Sequence, residues 1–141
     1  MTKHCLWLFM MVSAVALADP TPADEISARS GLPASEVTSL LNNCDSSQTG
    51  MNFCAWRDQI VAERELQQVV DKQVHEHPER KALLEARLSK WKAARDASCE
   101  KTARKEWGDG SMLPAAKAIC ATASTKKMTK KLSATRDRNP S

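Results

Sequence analysis

The sequence has no tyrosine, two phenylalanines and four glycines among its 141 residues. So few aromatics leave little material for β-strands, which favour aromatic and β-branched side chains. So little glycine excludes a collagen-like or loop-dominated chain. A second long apolar run is also missing. The only one, Cys5 to Leu17, lies at the start, which excludes a polytopic membrane protein. No G-x-S-x-G, H-E-x-x-H or Cys-x-x-Cys pattern occurs. The serine-hydrolase elbow, the helical zinc-protease motif and a compact cysteine zinc site are therefore all absent. What remains is an ordinary globular composition, 42% apolar and 27% charged, on a chain of one-domain length.

The apolar run is preceded by Lys3 and His4, and it ends in Ala16-Leu17-Ala18 before Asp19-Pro20. A basic start, a short apolar stretch and small residues at its end predict a secretory signal peptide over residues 1–18, cleaved after Ala18. The run falls short of the ~20 apolar residues of a spanning helix. No cysteine follows the cleavage point to carry lipid, so no stable membrane anchor is expected. Export then determines how the cysteines read. Cys44, Cys54, Cys99 and Cys120 remain, an even set in a small exported chain, which predicts two disulfides.

Charge is unevenly placed. After Thr125 stand Lys126, Lys127, Lys130, Lys131, Arg136 and Arg138 against Asp137 alone, while residues 19–125 carry a slight acidic excess. A basic end could attract nucleic acid, but an exported chain does not meet it. The expectation is a solvated, frayed helix end with no nucleic-acid partner.

The periodicity is helical. Residues 19–24 read as a flexible start. Residues 25–41 carry Ile26, Leu32, Val37, Leu40 and Leu41 in a short helical pattern broken at Gly31-Leu32-Pro33. This stretch superficially resembles a helix-turn-helix, but it has a single arginine for phosphates, and a packing arm is the favoured reading. A first long helix starts between Thr49 and Met51 and runs to His75. Phe53, Trp56, Ile60, Leu66, Val70 and Val74 lie on one face, with a gap at Glu63. His77-Pro78 breaks it. A second long helix runs from Pro78 to Arg104, with a stripe of Leu84, Leu88 and Trp91 continued by Ala94, Ser98 and Thr102. After the turn at Trp107–Ser111, Pro114 opens a third helix with Ile119, Ala123, Met128 and Leu132 as its weaker apolar face. The fold class is all-α: a disulfide-stapled three-helix antiparallel core with a short N-terminal helical arm. The expected division is 1–18 signal peptide, 19–43 linker and arm, 44–134 helical domain and 135–141 disordered tail.

This layout leaves two disulfide pairings. Folding at the Gly108–Gly110 turn brings Cys99 level with Cys120, with Cys44–Cys54 tying the arm to the first long helix. Folding at His77 instead brings Cys54 level with Cys99 and leaves Cys44 for Cys120. The local pairing is favoured, and the Cα separation limit decides between them.

No chemical constellation emerges. His75 and His77 are two apart and cannot share a helix face, so they read as loop residues. Glu63 and Glu65 flank Arg64 and read as solvent-facing. Arg95-Asp96 reads as a structural ion pair or as surface charge. No catalytic residue, metal site or cofactor is expected, and the chain is not expected to be an enzyme. Trp56 and Trp91 fall on the apolar stripes and read as core. Trp107 sits beside the glycine-rich turn with no stripe to claim it, so it reads either as a cap on the helical hairpin or as a partner-facing anchor.

A resemblance follows from the order Cys44, Ser47-Gln48-Thr49, Met51-Asn52, Cys54, Glu65-Leu66, then Trp91 to Cys99 (WKAARDASC), Gly110-Ser111, Cys120, Thr125 and Leu132. This series, over most of the chain after Asp19, resembles the lysozyme inhibitor LprI N-terminal domain family of small exported bacterial proteins. Trp91, Arg95, Asp96 and Cys99 match its W…RD…C helix. The sequence departs from the pattern at Ala94 and Val70, where aromatics are usual, and at Gln67 and Met128. The resemblance implies an all-helical, disulfide-bonded periplasmic or secreted protein, with Met51, Asn52, Leu66, Trp91, Arg95, Asp96, Gly110 and Ser111 as structural motif residues. It also implies that some members inhibit lysozyme. The first expectation is therefore a non-catalytic protein that occludes lysozyme. The second is an envelope protein that binds another protein or the wall. Because host-type lysozymes are basic, Glu63, Asp71, Glu76 and Glu79 are the acids expected to face such a partner, together with Trp107.

Overall fold

The computed structural model describes residues 19–137. The expected signal peptide and residues 138–141 of the expected tail lie outside them. Five helices follow in order: α1 (Pro22–Ser30), α2 (Ala34–Asn42), α3 (Gln48–Glu76), α4 (Lys81–Trp107) and α5 (Leu113–Asp137), with a 3-10 turn at Pro78–Arg80 between α3 and α4. The described residues contain no strand. The three long helices form the expected antiparallel core, and the arm is a pair of short helices.

The chain orders earlier than the flexible start at 19–24 suggests. Pro22 opens α1, and Thr21 caps it reciprocally with Asp24: the Thr21 hydroxyl accepts from the Asp24 N–H, and the Asp24 carboxylate accepts from the Thr21 N–H at 2.9 Å. The arm is part of the core. Ile26 and Val37 are fully buried and cluster with Ile60 of α3, while Phe53 and Trp56, edge to face with each other, pack against this cluster. An Arg64–Glu25 ion pair at 2.8 Å ties α1 to α3.

The long helices do not pack evenly. α5 lies closest to α3 and next to α4, whereas α3 and α4 meet chiefly through their connecting turn and long side chains. The cause is side-chain size. Ala115 and Ala118 of α5 cluster with Ala55 of α3, and such small residues let helix axes approach. The face that α5 buries is Ala115, Ala118, Ala121 and Thr125. Sequence periodicity points to Ile119 and Ala123 instead, but these lie on the outer face, and Ile119 is 58% exposed. Hydrophobicity misleads here because alanine and a hydrogen-bonded threonine fill the close contact better than isoleucine. On α4 the small-residue stripe is likewise displaced by one residue: Arg95, Cys99 and Ala103 are buried, while Ala94, Ser98 and Thr102 are exposed. Leu84, Leu88 and Trp91 are half-buried as the stripe requires. The basic end is helical as far as the described residues reach. α5 continues through Asp137 and is held near its end by the Gln73 side-chain amide donating to the Leu132 carbonyl at 2.9 Å.

The disulfides join Cys44 to Cys54 and Cys99 to Cys120, with Cα separations of 5.8 and 5.5 Å. This is the local pairing. The first clamps the turn after α2 to the opening of α3, and the second staples α4 to α5.

Candidate interaction surface

The W…RD…C helix resolves into one internal arrangement. Trp91, Arg95 and Cys99 are spaced by four and so share a face of α4. The Arg95 side chain is 1% exposed and uses its guanidinium in three directions. Nη2 donates to Glu63 Oε1 of α3 at 2.7 Å, Nη1 to Thr125 Oγ1 of α5 at 2.7 Å, and Nε to Asp96 Oδ1 at 2.8 Å. Trp91 supplies the fourth side, its ring centroid 5.3 Å from the guanidinium carbon. The Thr125 hydroxyl donates in turn to the Ala121 carbonyl at 2.7 Å. One side chain thus ties all three long helices together where α3 and α4 are otherwise apart. Among the described residues no buried side-chain polar atom lacks a partner.

Glu63 is therefore not the solvent-facing acid that the sequence suggests. Its side chain is 22% exposed. Burial pushes its pKa up. Hydrogen bonds from Gln59 and Arg95, and the charges of Lys92 and Arg95, outweigh this and hold the carboxyl below its ordinary value. The gap in the apolar stripe of α3 is the visible trace of this pair. The family pattern includes Thr125, but its place in the sequence does not reveal that it is the third partner of Arg95. Arg95-Asp96 is an ion pair in fact, despite adjacency on the helix, because the arginine side chain folds back to reach its neighbour.

The motif residues Met51, Asn52, Gly110 and Ser111 converge elsewhere, at the end of the bundle where α3 begins and α4 turns into α5. The Asn52 side-chain amide donates to the Ser111 carbonyl at 3.2 Å, across 59 residues of sequence. Gly108 takes φ +60°, which favours glycine and turns the chain directly after Trp107. Gly50 is needed for contact: a Cβ there would lie 2.7 Å from the Asn43 carbonyl oxygen. Both disulfides brace this end. Trp107 and Met51 stand out from it, 45% and 37% exposed. An apolar groove of about 490 Å³ opens toward the same end of the bundle between α3 and α5, lined by Phe53, Trp56, Leu113 and Pro114 together with Asn52 and Lys117. Trp56 thus serves both core and groove. Leu66 is buried on α3 and lines a separate recess between α3 and α4 with Trp91 and Leu88.

The acids expected to face a partner lie at the opposite end. Asp71, Glu76 and Glu79 are exposed near the α3–α4 turn. Asp71 accepts from the Gln67 amide at 2.7 Å, and Glu79 sits 3.7 Å from Arg80. The 27 residues of α4 separate this end from Trp107 by about 40 Å of helix. The structure brings the three acids to one end and does not bring Trp107 to them. It also brings α5's lysines to the acids' end: residues 71–92 and 126–131 hold ten basic side chains against four acids, while residues 44–58 and 97–117 hold five of each. The Trp107 end is electrostatically balanced and the acid-bearing end is net basic. Among the described residues no three His, Cys, Asp or Glu side chains group as metal ligands would, and no helix is long and apolar enough to cross a membrane.

No curated protein and no solved structure matches this chain. A family model described as Lysozyme inhibitor LprI does match, over residues 42–132. That stretch begins at the last residue of α2. It includes both disulfides, the Arg95 cluster and the Met51–Ser111 end, and it leaves α1 outside. The chain belongs to the lysozyme inhibitor LprI family.

Proposed function

We propose that this protein is exported, with residues 1–18 removed as a signal peptide, and that it binds and inhibits lysozyme in the periplasm or outside the cell by occlusion, without chemistry of its own. The observation that carries the reading is the family match across α3, α4 and α5. Two disulfides suit an oxidising compartment. The surface that meets lysozyme is the Trp107 end. It offers an exposed tryptophan and methionine, with an apolar groove between α3 and α5 at the same end, and interface cores are enriched in such residues. The two disulfides hold it rigid, which lowers the ordering cost of association. Its balanced charge does not repel a basic enzyme, whereas the net basic end that carries Asp71, Glu76 and Glu79 does.

The test is a lysozyme lysis assay with residues 19–141, oxidised and reduced, alongside Trp107→Ala. Dose-dependent inhibition that is lost on reduction is expected. Trp107→Ala should weaken it by roughly 30-fold, the effect of an anchor of about 2 kcal/mol. No inhibition of several lysozymes by a folded sample overturns the reading and leaves an envelope protein with another partner, to be captured by pull-down. Full inhibition by Trp107→Ala moves the surface to Asp71, Glu76 and Glu79, which Asn and Gln replacements then probe.

A further inference from the structure

The outward face of α5 combines charge with an apolar residue that the fold leaves uncovered. Lys126, Lys127, Lys130 and Lys131 are all exposed, and none makes an ion pair among the described residues. Ile119, Ala123, Lys126 and Lys130 follow at steps of four, three and four, so they form one stripe about 17 Å long along the helix. This stripe faces away from the buried Ala118, Ala121 and Thr125. Ile119, at 58% exposure, is the most exposed of the large apolar side chains on the described surface. The helix is not a loose tail that could wrap a partner. It is pinned to α3 by Gln73 and to α4 by Cys99–Cys120.

We propose that this face of α5 docks the protein reversibly on a membrane surface of anionic phospholipid. Charge complementarity supplies the attraction, because a cluster of four lysines on one helix face is the pattern that an anionic leaflet recruits. The uncovered isoleucine and the apolar stems of the lysines favour lipid over a soluble polyanion: they can settle into the headgroup boundary while the ammonium groups stay among the phosphates. A single polyanionic strand would call for a basic groove, and this face is convex. The docking is peripheral and salt-sensitive, in keeping with the absence of a spanning helix among the described residues. Held this way, the net basic side meets the membrane. The proposal does not depend on lysozyme inhibition.

The experiment is vesicle sedimentation of residues 19–141, which contain every described element. The vesicles are phosphatidylglycerol–phosphatidylcholine mixtures or phosphatidylcholine alone, with heparin binding measured in parallel. Binding to the anionic vesicles alone, falling as salt rises, is expected. Each lysine near the leaflet contributes roughly fivefold, so Lys126→Gln with Lys130→Gln should weaken partitioning by roughly 30-fold. Ile119→Ser should weaken it by roughly fivefold. Lys101→Gln with Lys105→Gln removes the same charge from the far part of α4 and should change it by less than about threefold. All these positions are exposed, and unchanged urea midpoints confirm that the variants fold. Equal losses for both lysine pairs, no binding to anionic vesicles, or tight heparin binding without vesicle binding each overturn the proposal.

Discussion

Replacing Arg95 is the sharpest probe of how this bundle holds together. Arg95→Met keeps the length and apolar stem and removes three charge-assisted hydrogen bonds, to Glu63, Thr125 and Asp96. Breaking a buried ion pair from one side costs about 3–5 kcal/mol, because the abandoned charge stays desolvated. Two features lower that figure. Glu63 keeps its Gln59 hydrogen bond and Lys92 at 3.6 Å, and its side chain is 22% exposed. Asp96 is half-exposed and loses almost nothing. The expected cost is therefore about 3 kcal/mol, or a fall in Tm of roughly 10 °C for a domain of this size. Glu63→Gln alone should cost about 1–2 kcal/mol, since the amide can still accept from Arg95. In the double variant the neutral pair leaves no stranded charge, so the coupling should reach about 1–2 kcal/mol. Urea denaturation with tryptophan fluorescence measures all four species. A loss under about 1 kcal/mol for Arg95→Met at an unchanged m-value, or additive costs in the cycle, would refute the view that this cluster joins α3 to α4 and α5.

The same carboxylate sets a pH dependence. Because the folded state holds the Glu63 pKa below its ordinary value of 4.5, its contribution is complete above that value and is lost as pH falls through the folded pKa. Acid titration of the urea midpoint should show this loss in the wild type and a smaller one in Glu63→Gln. Removing Cys99–Cys120 as a double serine variant should cost about 3 kcal/mol, and removing Cys44–Cys54 slightly less, because the second closes the shorter loop, a separation of 10 rather than 21 residues. Thermal melts of the two variants test the order. Gly50→Ala should destabilise by about 1–3 kcal/mol although alanine favours helices, because its Cβ would press on the Asn43 backbone oxygen; a stabilised variant would refute that contact.

Much of this architecture was legible in the sequence. Helical spacing of Phe53, Ile60, Leu66 and Val70, the His77-Pro78 break and the Trp107–Ser111 turn place three long helices with boundaries within a few residues of those observed. The W…RD…C series and the cysteine order point to the family. The arm's first helix was less visible, because its signal is a cap at Thr21 and Asp24 rather than an apolar run. The inner face of α5 was not visible at all. Periodicity weighs hydrophobicity, and the residues that decide that face are alanines chosen for closeness.

What the sequence by itself determined is therefore local: which segments are helical, where they stop, and which cysteines are near enough to pair. These follow from backbone preference, capping and side-chain period, which act over a few residues. What only the tertiary structure decided is which faces meet. α5 approaches α3 through Ala115, Ala118 and Ala55, and this turns Ile119 and the lysines outward. It also brings Thr125 to Arg95 across 30 residues and Asn52 to Ser111 across 59. Such contacts depend on shape complementarity between distant segments, and no pattern within a single helix carries that information.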